Sequence, residues 1–276
     1  MKIALAQVEC KPGDVAGNVA MMTRLIERHA QAGADLVVFP EMCDTGYEME
    51  AIGRTAGAVD GLARTALAAA ARSHRVNVIA GLSLNEDGAI FNTAVALDRS
   101  GAAVGEYRKI HLFTGEPQPE DRVMRPGSRR VVAPIDGVPV GLMICYDLRF
   151  PELARSMLLD GAEMFVIPAA WPAVRIGHWT ALLQARAIEN QCVMVACNRV
   201  GGDGGVELGG CSAVFGPLGE AWFTSEPLRS PAAGGVPVAE VVHVDIEQVA
   251  AARARFRWLR DRRPESYRSM AGFDDR

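Results

Sequence analysis

Short apolar runs alternate with helix-periodic segments along the chain, and no other feature limits the fold as much. "KIALAQV" (2–8) reads as a buried strand, and "AGNVAMMTRLIERHAQAGA" (16–34) places apolar residues at helical spacing with Gly33 near its end. "DLVVFPEM" (35–42) is a strand that stops at Pro40, "GLARTALAAAARSH" (61–74) a helix, and "VNVIAGLSL" (76–84) a strand. "FNTAVALD" (91–98) and "AAVGEYRK" (102–109) flank the turn "RSG" as a β-hairpin. The series resumes with strand 138–145, helix 150–162 starting on Pro151, strand 163–170, helix 178–190 and strand 191–198. Further strands are expected at "CSAVFGP", "GEAWFTS" and "AEVVHVD". Alternating strands and helices indicate an α/β fold, and two hairpin regions add antiparallel pairs. Both sheets need helical cover, so the expected architecture is a four-layer α-β-β-α sandwich forming a single domain over residues 1–276. "VGGDGGVELGG" (200–210) opens no helix, which argues against a phosphate cradle and for a mobile surface loop.

Composition removes several classes of function. The net charge of −4 speaks against nucleic acid as a partner. The six cysteines form no C-x-x-C pair and no zinc-type spacing, and neither H-x-H nor H-E-x-x-H occurs, so no metal site is expected. The N-terminal apolar run is too short for a signal peptide, and no stretch reaches the roughly 20 apolar residues of a membrane span. A cytoplasmic, reducing location follows. Seven arginines between Arg253 and Arg268 mark a solvated face or a subunit contact, with the tail at about 257–276 assigned to the latter.

Three strands each end on a residue with reactive chemistry. In "GLMICYDLRFPEL" (141–153) an apolar run stops on Cys145 and turns at once into a polar cluster opening a helix. A side chain there projects from a sheet's carboxyl edge, where open α/β sheets bind ligands. A helix N-terminus beyond it is expected to lower the thiol pKa and to offer N–H groups to an oxyanion. Glu41 closes another strand and suits a general base in a partly apolar setting. Lys109 closes a third and suits an oxyanion donor. Taken singly, each has a plainer reading: a buried strand end, a loop glutamate, a surface lysine. The ordered combination favours a site. Of the histidines, His111 and His178 can line a pocket, whereas His29, His74 and His243 lie in ordinary helix or strand contexts.

The motifs "FPEMCDTGY" around Glu41, "YRKIHLF" around Lys109 and "GLMICYDLRFPE" around Cys145 resemble those of the nitrilase, or carbon–nitrogen hydrolase, superfamily. With "KIALAQ" at the start and "CSAVFGPLGE" near the end, the resemblance covers nearly the whole chain. It implies a catalytic Glu–Lys–Cys triad, the α-β-β-α sandwich, and association into a homodimer or a higher homo-oligomer. It also implies a second glutamate between the lysine and cysteine motifs. "HLFTGEPQPEDRVMRPG" offers Glu116 and Glu120, and the spacing to "RPG" favours Glu120. The implied reaction has Cys145 attack a C–N carbonyl carbon, Glu41 move the protons, and Lys109 with the Tyr146 N–H hold the oxyanion. No cofactor is required.

Residues 169–204, with "WPxxR…HW", "ARAIENQ" and "CNRVG", further resemble the omega-amidases, which act on monoamides of 2-oxo dicarboxylic acids. Trp171 can wall a small pocket, and Arg175 offers a fork suited to a carboxylate. Tyr146, Trp171, Arg175 and His111 are thus the expected substrate-binding residues, with Asn198 and Arg199 behind them. Trp179 and Arg186 are expected to pack the helix. The competing readings are an N-carbamoyl amino acid or aliphatic amide hydrolase of the same superfamily, a non-catalytic binding module on this fold, and an isochorismatase-like cysteine hydrolase. The last lacks an early aspartate in the right context.

Overall fold

The computed structural model describes residues 1–56, 61–226 and 241–267. In chain order its first half holds β1 (Lys2–Leu5), α1 (Val15–Gln31), β2 (Leu36–Val38), α2 (Met49–Thr55), α3 (Leu62–His74), β3 (Asn77–Glu86), β4 (Ala89–Leu97) and β5 (Ala103–Arg108). The second half holds β6 (Val132–Ile135), β7 (Val138–Leu142), α4 (Pro151–Leu159), β8 (Met164–Ala169), α5 (Ile176–Asn190) and β9 (Val193–Asn198). It closes with β10 (Val200–Asp203), β11 (Val206–Gly209), β12 (Ala213–Phe215), β13 (Ala221–Thr224), β14 (Val241–His243) and α6 (Glu247–Arg255).

Twelve of these strands form two six-stranded sheets, ordered β14-β1-β2-β3-β4-β5 and β13-β12-β9-β8-β7-β6, and β10 and β11 pair separately. Side chains alternate across each strand, which decides the layers. In the first sheet Ile3, Leu5, Leu36, Val38 and Ile79 join Val140, Leu142, Met164 and Val166 of the second in one core between the sheets. The intervening residues Ala4, Val37, Val78 and Ala80 face outward, against Met22, Leu25 and Ile26 of α1 and Leu67 and Ala71 of α3. On the far side Leu153 and Met157 of α4 and Trp179 and Leu183 of α5 cover the second sheet. The expected α-β-β-α sandwich is therefore present. The sheets approach closely: a Cβ at Gly105 of β5 would lie 2.7 Å from the Ala133 Cβ of β6.

Three elements escaped the sequence patterning. Two are the short helices α2 and α6, and the third is β6, which pairs antiparallel with β7 through a turn at Asp136–Gly137. A fourth expectation is overturned. The glycine-rich stretch at 200–210 is an antiparallel hairpin, β10–β11, with Val200 paired to Gly209 and Asp203 to Val206. Glycine carries no side chain from which a strand's alternation could be read, so the pattern is silent there. Of the expected strand "AEVVHVD", Val241–His243 form β14, while Ala239 and Glu240 lie outside the described residues. The same holds for positions 268–276 of the arginine-rich tail. No described helix is long and apolar enough to cross a membrane.

Candidate active site

β1, β2 and β3 run parallel, as do β7, β8 and β9, and β5 shares the direction of β3 through two antiparallel pairings. The carboxyl ends of β2, β5, β7 and β8 thus share one edge of the sandwich, where Glu41, Lys109, Cys145 and Ala170 follow them. Such edges are where open α/β sheets bind ligands.

Glu41 is fully buried, and both of its oxygens are satisfied. Oε1 accepts from Lys109 Nζ at 2.8 Å and from Asn92 Nδ2 at 2.7 Å, and Oε2 accepts from the Ala170 N–H at 2.8 Å. Glu120, on a short 3₁₀ turn, completes the cluster: its Oε1 accepts from Lys109 Nζ at 2.8 Å and from Asn92 Nδ2 at 2.9 Å. Its Oε2 accepts the Phe113 N–H at 2.7 Å. Glu116 stands instead at the cavity rim, exposed and paired with Arg122. Lys109 therefore commits two of its three N–H donors to carboxylates. Burial works against its charge, but the Glu120 and Glu41 carboxylates outweigh it and hold the ammonium well above the usual lysine range. Burial, reinforced by Glu41 and opposed by Lys109, raises the Glu120 carboxyl.

Cys145 adopts φ +44°, in the left-handed region that a residue with a Cβ rarely occupies. Its thiol lies where the Glu41 carboxylate, the Lys109 ammonium and the Ala170 N–H all act on its proton. Two expectations are corrected here. β7 ends at Leu142, and a five-residue 3₁₀ turn, Cys145–Arg149, stands between Cys145 and α4, which begins at Pro151. The thiol pKa is not lowered: burial first, then the Glu41 charge, push it well above the ordinary value, with Lys109 pulling the other way. Desolvation outweighs the dipole of so short a turn. The turn still leaves a donor. Among the described residues the Tyr146 N–H has no acceptor, while the Asp147 N–H is taken by the Ile144 carbonyl.

The thiol opens into a cavity of about 260 Å³ whose lining includes Tyr47, Phe113, Tyr146, Arg149, Trp171 and Arg175. Trp171 is pinned by its indole N–H to the Arg175 carbonyl at 2.9 Å and by its backbone N–H to Asn198 Oδ1 at 2.6 Å. The Arg149 guanidinium lies 4.7 Å from the Trp171 ring centroid, and that of Arg175 lies 5.9 Å from the Phe113 centroid. Neither arginine is in an ion pair among the described residues, so both guanidinium groups are available at the rim.

Tyr146, Trp171 and Arg175 line the cavity as expected. His111 does not. Its Nδ1 lies 2.8 Å from Asp147 Oδ1, and its ring stacks on Phe150 at 3.7 Å, which turns it to holding the segment after Cys145. His178 is exposed on α5, outside the cavity. Asn198 supports Trp171 from behind, and Arg199 is buried against Asp203 and the Cys10 carbonyl. Trp179 and Arg186 pack as expected: the Trp179 indole donates to the Cys211 carbonyl and Arg186 Nη2 to that of Leu148. Sequence reasoning missed three residues at the centre. Asn92, a polar residue inside an apolar strand, joins the two glutamates. Tyr47, from the Glu41 motif, is buried beside these carboxylates, and burial first, then Glu120 and Glu41, raise its phenol. Arg149 belongs to the Cys145 motif itself.

The family model for carbon–nitrogen hydrolase matches residues 2–249. A 2-oxoglutaramate amidase from Bacillus subtilis is 35% identical over 218 residues, 79% of this chain and 83% of that protein. An (R)-stereoselective amidase from a Pseudomonas species is 35% identical over 266 residues, 95% of this chain and 92% of that one. Among solved structures, a cysteine-to-alanine mutant of a nitrilase-superfamily amidase from Nesterenkonia AN1 superposes with a TM-score of 0.85 at 27% identity, covering 98% of this chain and 97% of its own. A glutamate-to-glutamine mutant of that amidase carries the acetamide moiety of fluoroacetamide on its active-site cysteine.

Proposed function

We propose that this chain, which belongs to the carbon–nitrogen hydrolase family, hydrolyses the ω-amides of short dicarboxylic acids, including 2-oxo acids, through a Glu41–Lys109–Cys145 triad assisted by Glu120. The observation that supports the chemistry is a strained, cavity-facing thiol acted on by a fully buried carboxylate and by the buried ammonium that this carboxylate holds. The raised thiol pKa suits this arrangement, because a protonated thiol needs a base at the moment of attack.

Cys145 Sγ bonds the amide carbon while Glu41 takes the thiol proton. The charge that develops on oxygen is met by the remaining Lys109 N–H and the unengaged Tyr146 N–H. The tetrahedral carbon then expels the amine: the C–N bond breaks, Glu41 returns its proton to the leaving nitrogen, and ammonia departs from a thioester on Cys145. Glu41 next accepts a proton from water, whose oxygen attacks the thioester carbon. The C–S bond breaks, the acid leaves, and the thiol regains its proton. Glu120 and Asn92 hold Lys109 and Glu41 in register throughout.

The acidic-substrate reading rests on Arg149 and Arg175, two guanidinium groups without carboxylate partners on the rim of the cavity that holds Cys145. A bidentate fork suits a carboxylate. The 2-oxoglutaramate amidase relative supports the same substrate class. The test is ammonia release from 2-oxoglutaramate, succinamate, an N-carbamoyl amino acid and a neutral aliphatic amide. Arg175→Ala is expected to cost the acidic amides about 10–100-fold more than the neutral one, the worth of a hydrogen bond to a charged group. Equal losses on both would remove the carboxylate role, and turnover of the carbamoyl compound alone would replace the substrate class. Association of the whole chain, tail included, into at least a dimer belongs to this reading, and sedimentation equilibrium tests it.

A further inference from the structure

The β10–β11 hairpin forms the outer wall of the cavity, with Gly205, Val206 and Glu207 lining it. Its base is fixed to the Trp171 segment, since the Gly209 N–H donates to the Trp171 carbonyl at 2.9 Å and Leu208 bridges Pro172. Its tip is fixed by different residues. Asp203 Oδ2 accepts the Tyr47 N–H at 2.6 Å and pairs with buried Arg199 at 2.6 Å. The Gly204 carbonyl accepts from Gln118 Nε2 at 3.0 Å, while Gln118 Oε1 accepts the Met49 N–H at 2.9 Å. One amide side chain therefore joins the hairpin tip to the start of α2, from a position two residues before Glu120. The fit admits nothing larger. A Cβ at Gly204, which has φ +53°, would fall 1.8 Å from Gln118 Nε2.

We infer that the β10–β11 hairpin sets how long an acyl chain the cavity accepts, and that Gln118 is the positioning residue that clasps this wall shut. An acyl group bonded to Cys145 extends into a space of about 260 Å³ closed by Val206 and its neighbours. Leu208 and Val206 pack with Tyr47 and Ala170, so the wall resists displacement while the clasp holds. A single methylene that such a wall rejects costs about tenfold or more in specificity. The inference rests on Cys145 acting as the nucleophile of an amide hydrolase.

The experiment compares kcat/KM for succinamate with that for the six-carbon adipic monoamide, and for propionamide with that for hexanamide. Running both pairs separates failure of the clasp from failure of the acidic-substrate reading, since either pair measures length alone. The wild-type chain is expected to favour the shorter member of whichever pair it turns over. Gln118→Met, which loses both bonds, is expected to lower that preference by about tenfold, chiefly through the KM of the longer amide. Gln118→Glu keeps the acceptor for Met49 and loses the donor to Gly204, so its preference is expected to fall between the two. Gly204→Ala opens the clasp from the other side and is expected to act in the same direction. A wild-type preference near unity, an unchanged preference in the variants, or equal losses on short and long amides would overturn the inference.

Discussion

The proposed chemistry concentrates on Cys145 because its backbone, its burial and its neighbours all act on one sulfur. The φ of +44° lifts the side chain out of the strand direction, and burial, Glu41 and Lys109 all act on its proton. Since the fold raises this pKa, the native chain holds the thiol proton more firmly than the unfolded chain. The stability that this supplies is complete below the ordinary thiol value and drains away as pH climbs through the higher folded one. The ultraviolet thiolate signal, taken as wild type minus Cys145→Ala, is accordingly expected to show no step from neutrality up to the ordinary thiol value; a step near neutrality would contradict the protonated resting state. Lys109 bears on folding as well as on the proposed chemistry. Lys109→Met would leave Glu41 and Glu120 buried without their cation, and is expected to cost about 3–5 kcal/mol. Denaturant unfolding measures it, and an unchanged midpoint would show that the carboxylates do not depend on this charge.

Among the elements, the close approach of β3 to the Glu41 segment holds the proposed base in place. The Gly81 N–H donates to the Pro40 carbonyl, and the Gly81 carbonyl accepts from the Cys43 N–H. A Cβ on Gly81 would lie 2.6 Å from the Glu41 Cα and 2.7 Å from the Pro40 carbonyl oxygen, so backbone would have to move. Gly81→Ala is therefore expected to destabilise by about 1–3 kcal/mol and to lower kcat together with Tm. Wild-type kcat at a reduced Tm would uncouple this contact from the position of Glu41. Glu41, Lys109 and Cys145 were legible in the sequence because each follows an apolar run that ends abruptly, and Glu120 became so through its motif. Asn92, Tyr47 and Gln118 were not, since what they do depends on partners 28, 73 and 86 residues away. The thiol pKa was misjudged for a related reason. Sequence shows a helix start near Cys145, but neither the intervening 3₁₀ turn nor the depth at which the sulfur lies.

On the scale of the molecule, the sandwich was legible because strand and helix periods differ and the chain switches cleanly between them. The two sheets bring four strand ends to one edge, and their shared core immobilises them there. That rigidity holds one lysine and two glutamates, all buried, beside the cysteine that lines the cavity. The hairpin wall is the part of the architecture that periodicity could not show, because four of its first six residues, Gly201, Gly202, Gly204 and Gly205, have no side chain.

Cys145 is proposed to carry the acyl group as a thioester, and mass spectrometry of the chain quenched in acid during turnover of succinamate, intact and after digestion, detects that adduct. A mass gain equal to the succinyl group is expected on the peptide containing Cys145, together with ammonia release, and neither is expected in Cys145→Ala. Ammonia release by Cys145→Ala at the wild-type rate, or an adduct on a different residue, would contradict it.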